Sequence, residues 1–419
     1  MTSAARTGGL RRDATARYRA VLDRLYRARR AGVRFDLDRV RALLERLGAP
    51  QAKVGRIARI GGTNGKGSAV AFAEAIARAS GLRTGAFTSP HLSRFAERFR
   101  IDGAPAADDA VADAAERVFA AAGDRYTFFE LATAIALCAF ADAGVDVALL
   151  EVGMGGRLDA TNAVSADVSA VTGVALDHQA YLGTTLAAIA REKAGIFEPG
   201  RPAIVGRCGE PAGEPLLEIA ARQAGARLIR APASTPGDWP LGLAGAHQRA
   251  NAAVAVEVVR ALAAPDAAAI RAGLAAARWP GRLERIADDP PVVVDGAHNP
   301  HAARAIAGEV AYDVLVLGAA RDKDIAGIAA PLVARARAVV CTEAGPADRA
   351  APAAQVAAAA ARAGAAPVEV EPDPRRAVDR ARARAHTGVL VAGSLFVVGA
   401  VRRHLLDEPA DPIDCAERM

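Results

Sequence analysis

The sequence predicts an α/β protein of two units: an N-terminal one with a parallel-rich sheet, and a smaller, Rossmann-like C-terminal one. Three observations predict it. Short apolar runs such as "VDVALLEV" alternate with helical segments, as strands of a parallel sheet covered on both faces do. A helix breaker, Trp279-Pro280-Gly281, then interrupts the pattern. Beyond it the alternation restarts, with apolar runs and crossovers spaced closely enough for one doubly wound unit. A chain of 419 residues also exceeds what one ordinary core organises.

Residues 15–48 read as a helix, a loop at Ala31-Gly32 and a second helix. In that second helix Leu37, Val40, Leu43, Leu44 and Leu47 recur at helical spacing before Gly48 stops it. A short strand follows over Arg56–Ile60, weakened by the charge of Arg59, then a glycine-rich loop and a helix ending at Gly81. Phe128–Ala143 reads as a helix, whose Phe128-Phe129 pair is core by default. "VDVALLEV", "DVSAVTGVALDH" and "RPAIVG" read as strands. After the break at "ARWPGRLERI" come the strands "PPVVVDG", "DVLVLG", "AVVCTE", "VEVE" and "GVLVAGS", with helices between them, one starting at Pro300. The units are therefore placed at residues 1–280 and 286–419. No internal repeat stands out.

Composition narrows the functional classes. The chain is 52% hydrophobic and 24% charged, as globular proteins are. Its net charge of +6 suits anionic ligands: nucleic acid, nucleotides or polycarboxylates. Much of the basic excess lies in "RTGGLRRDATARYRAVLDRLYRARRAGVR", read as a solvated, arginine-rich helix face. Aromatic residues make up only 4%, too few for single-strand stacking platforms, so no nucleic-acid partner is expected. Cys138, Cys208, Cys341 and Cys415 stand apart with no CxxC pair, which points to a reducing compartment. No run of 18 apolar residues predicts a membrane helix, and no apolar segment at the N-terminus predicts a secretory signal. The expectation is a cytoplasmic protein.

The chemistry starts at "RIARIGGTNGKGSAVAFAEAIARASG". A strand, a glycine loop and a helix carrying Lys66 and Ser68 form the arrangement that cradles phosphates. Glycines let backbone N–H groups converge, and the helix N-terminus adds positive potential. Lys66 would neutralise terminal phosphates, and Ser68 would reach magnesium. The usual G-x4-G-K-[ST] spacing is not met, because Gly67 separates Lys66 from Ser68. Glu151 closes the strand "VDVALLEV", and Asp177-His178 close the next, at the sheet edge where substrates and metals bind. Asn299 before Pro300 is good helix-capping chemistry.

"GGTNGKGS" resembles the ATP loop of the Mur ligase superfamily. "TSPHLSRFAERFRIDG", "TFFELATAIAL", "EVGMGGRLDATN", "TGVALDHQAYLG", "REKAGIFEPGRPAIVG", "HQRANAAVA", "WPGRLE" and "VDGAHNPHA" follow in the order of the folylpolyglutamate synthase/dihydrofolate synthase family. The resemblance spans residues 35–400 and implies a Mur-ligase-like phosphate-loop ATPase domain followed by a glutamate-ligase domain. It implies ATP contacts at Gly62, Thr63, Asn64, Gly65, Lys66, Gly67, Ser68, Asn251, Arg282 and Asp295. Magnesium, as two ions, would be held by Ser68, Ser89, Glu151, His178 and Lys193, the last once CO2 has converted it to an anionic carbamate. The pterin side falls on Thr127, Phe129, Asp159 and Ala160, and the incoming glutamate on His298 and Ser394. Catalytic weight rests on Lys66, His178, Lys193 and His298, with His298 a weak candidate for the base that frees the amine.

The implied activity is an ATP-dependent ligase. It phosphorylates a carboxylate and lets the amine of L-glutamate displace phosphate, with dihydropteroate or reduced folates as acceptor. A bifunctional enzyme is favoured, with either single activity as the alternative. The remoter alternatives are a cell-wall-precursor ligase, a phosphate-loop switch or a non-catalytic paralogue. Members are commonly monomers. Two departures stand out: the segment between Val205 and His247 is short, which questions a small accessory sheet, and Phe396 stands where the family often has Tyr or His.

Overall fold

Strand β1 (Arg56–Gly61) is the axis around which the first sheet is wound. The other strands of that sheet are β2 (Thr84–Phe87), β3 (Phe99–Ile101), β4 (Ala104–Pro105), β5 (Val147–Glu151), β6 (Val168–Val171), β7 (Pro202–Val205) and β8 (Arg227–Arg230). Their order is β4-β3-β2-β5-β1-β6-β7-β8, parallel except that β3 pairs antiparallel with both β2 and β4. The computed structural model describes residues 3–28, 36–123, 125–345, 349–365 and 367–411. The anticipated loop at Ala31-Gly32 and Cys415 lie outside them. From β1 the chain winds to one side through β2 and β5, then to the other through β6 and β7. The carboxyl end of β1 is thus the topological switch point, where open α/β sheets bind ligands.

Both faces of the sheet are covered. On one, the helix Lys66–Ala79 packs against helices Gln248–Ala263 and Ala267–Ala276 around Ile60, Phe72, Ile76 and Leu149. There Gly273 lets two helix backbones touch, since a Cβ would lie 2.4 Å from Ile76 Cα. On the other face, helices Phe128–Ala143, Asp108–Ala122 and Ser3–Ala28 bury Phe87, Phe95, Phe99 and Phe140. Burial of each such side chain contributes roughly 1.5–3 kcal/mol.

The second sheet carries β9 (Glu284–Asp288), β10 (Pro291–Val294), β11 (Val314–Leu317), β12 (Ala338–Cys341), β13 (Val368–Val370) and β14 (Val389–Ala392). The order is β13-β12-β11-β14-β10-β9, with only β9 antiparallel. The apolar runs read from the sequence are β10 to β14. β9 was not anticipated: "ERIAD" is a half-exposed edge strand with charges at Glu284, Arg285 and Asp288 and carries no apolar run. Residues 206–246 add the helix Gly213–Gln223 and the edge strand β8, and no third sheet forms among the described residues. "DVSAVTGVALDH" is shorter as a strand than its apolar run suggests: β6 stops at Val171, and Thr172–His178 is loop.

Arg59 does not weaken β1; it is wholly buried within it. Its guanidinium donates to the carbonyls of Thr161 (3.1 Å), Ile196 (3.3 Å) and Val164 and lies 3.4 Å from Glu198 Oε1. Five N–H donors in a planar fork suit a cluster of carbonyls. Burial lowers its pKa and Glu198 opposes that. The charge ties the loops after β5 and before β7 to the central strand. Arg59→Leu should cost about 3 kcal/mol, because it removes these donors and leaves Glu198 without its cation. A urea-denaturation midpoint equal to wild type would contradict this.

Candidate active site

β1 ends at Gly61, and the chain turns through Gly62–Gly65 into the helix that starts at Lys66. Two of these glycines are required. Gly62 (φ 141°) would place a Cβ 1.9 Å from Thr172 Oγ1, and Gly65 (φ 82°) would place one 2.0 Å from Asn251 Oδ1. The loop after β6 braces the turn. Thr63 N donates to Gly173 O (2.9 Å), Thr63 Oγ1 bridges the backbone of Ala175 (3.0 and 3.1 Å), and Thr172 Oγ1 donates to Asn64 O (2.6 Å). This is why Thr172–His178 leaves the sheet: its polar groups pair with the phosphate loop instead of a strand. Lys66 folds back onto Gly62 O (3.1 Å) and Thr63 O (3.3 Å), and Ser68 is buried in the helix's first turn. Burial pulls the Lys66 pKa down, and Glu151 opposes this.

Glu151, at the end of β5, is buried and accepts from Ser89 N at 3.0 Å. Burial raises its pKa, and the Lys66 charge counters this. Asp177 faces the second unit. Its Oδ1 pairs with the Lys323 ammonium at 2.5 Å, and its Oδ2 accepts from Asn299 Nδ2 at 3.1 Å and lies 3.7 Å from His298 Nε2. Burial works against ionising Asp177, but the adjoining histidines and Lys323 hold it below the usual carboxylate range. His178 takes a left-handed conformation (φ 50°), and burial pushes its ring down to about 4. His298, with Nδ1 2.8 Å from Gly296 O, is likewise pushed down to about 4 by burial and by Lys323.

Lys193 is buried in the helix Leu186–Ala194 and donates to Gly62 O at 3.0 Å. Burial first, and then the nearby Lys66 charge, push its pKa down to about 7. In the second unit Asp295 accepts from Leu283 N (2.9 Å) and Ala297 N (2.8 Å), which ties the Arg282–Leu283 turn to the end of β10. Asn299 caps the helix Pro300–Ile306, as its place before Pro300 predicts, and also exchanges amide hydrogen bonds with Asn64 (2.8 and 3.2 Å). Ser394 caps the helix Leu395–Leu406.

On the pterin side expected from the sequence, Thr127 forms a capping box with Glu130. Phe129 lies against Phe87 (5.6 Å between centroids) and against Gly153, where a Cβ would sit 2.6 Å from its ring. Asp159 collects Gly153 N, Met154 N, Thr161 N and Thr161 Oγ1, which closes the "EVGMGGRLDATN" loop on itself. Burial raises its pKa against those donors.

One cavity of about 1740 Å³ joins these residues. Thr63, Asn64, Gly65, Lys66, Gly67, Ser68, Ser89, Thr127, Phe129, Glu151, Asp159, Ala160, His178, Asn251, Arg282, Asp295, His298 and Ser394 all line it. Gly62 and Lys193 do not; Lys193 lies beneath the loop, bonded to Gly62 O. The sequence reading missed Lys323, Arg98 and Gln248, which also line it. Lys323 lies in "AARDKD", just past a strand's carboxyl end, a position that marks a ligand edge; Arg98 and Gln248 carried no such signal. Among the described residues no group of three or more His, Cys, Asp or Glu side chains is placed to hold a metal. The groups that line the cavity near this edge include the Glu151 carboxylate, His178 and the side chains of Ser68 and Ser89.

Residues 281–395 match the family model of the Mur ligase glutamate ligase domain. The chain is 38% identical to a probable bifunctional folylpolyglutamate synthase/dihydropteroate synthase of Haloferax volcanii, over 92% of this chain and 50% of that one. It thus spans about half the length of that relative. It is 40% identical to the dihydrofolate synthase/folylpolyglutamate synthase of Escherichia coli, over 70% of this chain and 73% of that one. Among solved structures, E. coli FolC in complex with DHPP and ADP matches with a TM-score of 0.84 and 35% identity, over 93% of this chain and 97% of that one. A bifunctional folylpolyglutamate synthase/dihydrofolate synthase with Mn, AMPPNP and L-glutamate bound matches with a TM-score of 0.80 and 34% identity, over 90% and 95%.

The two cleft histidines should stay neutral far below the ordinary imidazole value of 6.5. Proton NMR, with resonances assigned through His178→Gln and His298→Gln, should show midpoints near 4. Midpoints above 6 would mean that the cleft is open to water.

Proposed function

The chain belongs to the folylpolyglutamate synthase/dihydrofolate synthase family, and on that premise we propose an ATP-dependent ligase that joins L-glutamate to dihydropteroate and to reduced folates. One observation carries the reading: a phosphate loop from the first unit and the His298–Ser394 edge of the second line a single cavity. A phosphate-loop switch would have no need of the second edge.

A carboxylate resists an amine because it is anionic and lacks a leaving group. Transfer of the ATP γ-phosphoryl group makes it an acyl phosphate, which the glutamate amine then opens with loss of phosphate. Lys66 supports this transfer by giving its charge to the phosphoryl oxygens, once phosphates replace the carbonyls it now bonds. Asn251, Arg282 and Asp295 are assigned to the nucleotide; because Arg282 and Asp295 lie beyond the interdomain break, both units are needed to hold it. Ser68, Ser89, Glu151 and His178 fit a divalent cation, since Glu151 is a buried carboxylate whose charge calls for a partner. When bound, magnesium would offset charge on the transferred group. Two ions, and a carbamate on Lys193, complete this reading. With its pKa near 7, Lys193 has a neutral amine fraction at neutral pH, the form that attacks CO2.

Thr127, Phe129, Asp159 and Ala160 are assigned to the pterin end and His298 and Ser394 to glutamate. A ring with a pKa near 4 is a poor base, so His298 is assigned to positioning, and the amine loses its proton elsewhere. The free thiols of Cys138, Cys208 and Cys341 accord with a cytoplasmic site, and no helix among the described residues is long and apolar enough to cross a membrane.

Phosphate release with ATP and L-glutamate should occur with dihydropteroate and with tetrahydrofolate; release with one alone would assign a single activity, and with neither would overturn the reading. Oxygen-18 placed in the acceptor carboxylate should appear in the phosphate released. Lys66→Ala should lower kcat by about 1000-fold or more, the scale of losing an electrostatic stabiliser of the transition state; near-normal turnover would remove Lys66 from the phosphate site.

A further inference from the structure

The segment that follows the last helix, Asp407–Asp411, crosses back from the second unit to the first. There Asp411 is buried. Its Oδ2 accepts from Phe95 N (2.6 Å) and from the Tyr18 hydroxyl (3.2 Å), and its Oδ1 lies 3.7 Å from Arg94 Nε. Asp411 N donates to Ser93 O (3.1 Å), and the same Tyr18 oxygen accepts from Ala96 N (2.9 Å). The Ser93–Ala96 turn is therefore gripped between the N-terminal helix and a C-terminal strap.

The rest of that loop is equally constrained. Glu97 collects the N–H groups of Leu92 (2.7 Å), Ser93 (3.0 Å) and Arg94 (2.7 Å). Leu92 packs into the core of the second unit, and its carbonyl accepts from Arg403 Nη1 at 2.8 Å. A Cβ at Gly399 would lie 2.4 Å from that carbonyl oxygen, so loop and helix backbone touch. At the near end Ser89 N is bonded to Glu151, and Phe95 packs edge-on against Phe128 with centroids 5.7 Å apart. Ser89 and Phe128 both line the cavity. Residues 89–96 thus form a stiff bracket anchored at three places: the Glu151 edge, the last helix of the second unit and Asp411.

We propose that Asp411 is a positioning residue for the pterin-side wall: through the strap, docking of the second unit sets where the Phe95–Phe128 contact stands, next to Phe129. A buried carboxylate is a costly way to hold a loose segment unless its location matters. Here its partners come from the N-terminal helix and the bracket itself, which fixes one position for all of them. The substrate assignment rests on the ligase reading above.

The test is steady-state kinetics of full-length Asp411→Ala and of a chain ending at Leu406, with Tyr18→Phe as a milder variant that keeps the carboxylate. Loss of charge-assisted hydrogen bonds to the bracket should raise the KM for dihydropteroate about 10-fold in the first two and about 3-fold in Tyr18→Phe. The KM for ATP should stay within about twofold, because the phosphate loop is braced separately by Thr63 and Thr172. Asp411→Asn, which keeps an acceptor for Phe95 N, should recover part of the effect. The Phe95 and Ala96 amides should exchange hydrogen faster in Asp411→Ala. An unchanged dihydropteroate KM, or equal rises in both KM values, would overturn the proposal. Absence of turnover in wild type would instead overturn the ligase reading.

Discussion

Asp177 is a carboxylate shared between two units, and the cleft is organised around that sharing. It stands on the first unit, yet its strongest partners, Lys323 and Asn299, come from the second. Asn299 extends the network to Asn64 in the phosphate loop, and Asn64 also lies 3.1 Å from His301 Nδ1. A buried anion of this kind holds only if a cation faces it closely. Lys323, paired with it at 2.5 Å, is the cation in direct contact. Apposition of the units therefore places Lys323 and Asn299 against the Asp177 carboxylate.

Around that junction the site is built by backbone more than by side chains. The phosphate loop is shaped by two glycines whose missing side chains make room for Thr172 and Asn251. Much of what the residues resembling ligand contacts do in this structure is local: Asp295 holds a turn, Ser394 and Thr127 cap helices, and Asp159 closes a loop. These duties are compatible with ligand roles, because a group fixed by its own hydrogen bonds is already oriented before substrate arrives. Lys66 and Lys193 both donate to Gly62 O. The charge there is therefore dense and poorly solvated, a setting that favours an anion.

Much of the fold was legible because its strands are apolar runs bounded by helices. Arg59 misled for an instructive reason: a charged residue in a short run signals weakness only if nothing inside can satisfy it, and here three carbonyls and Glu198 do. β8 and β9 escaped because edge strands need no apolar pattern to be held by a neighbour, and β2, β3 and β4 escaped because they are four residues or fewer, too short to show a pattern. The end of β6 was overextended because an apolar run cannot show that its backbone will pair with a loop rather than a strand.

The sequence alone showed the glycine loop after the first strand, the apolar strands of the two units and the break between them, because these depend on local spacing and on chemistry carried by single motifs. Tertiary structure decided what lies next to what. Asp177 met Lys323 and Asp411 met Tyr18 across 146 and 393 positions of chain. Such pairings leave no local trace, since they depend on how two sheets dock and not on any periodicity within one segment. Whether a residue such as Lys193 faces the cavity or the underside of a loop was likewise settled only by packing.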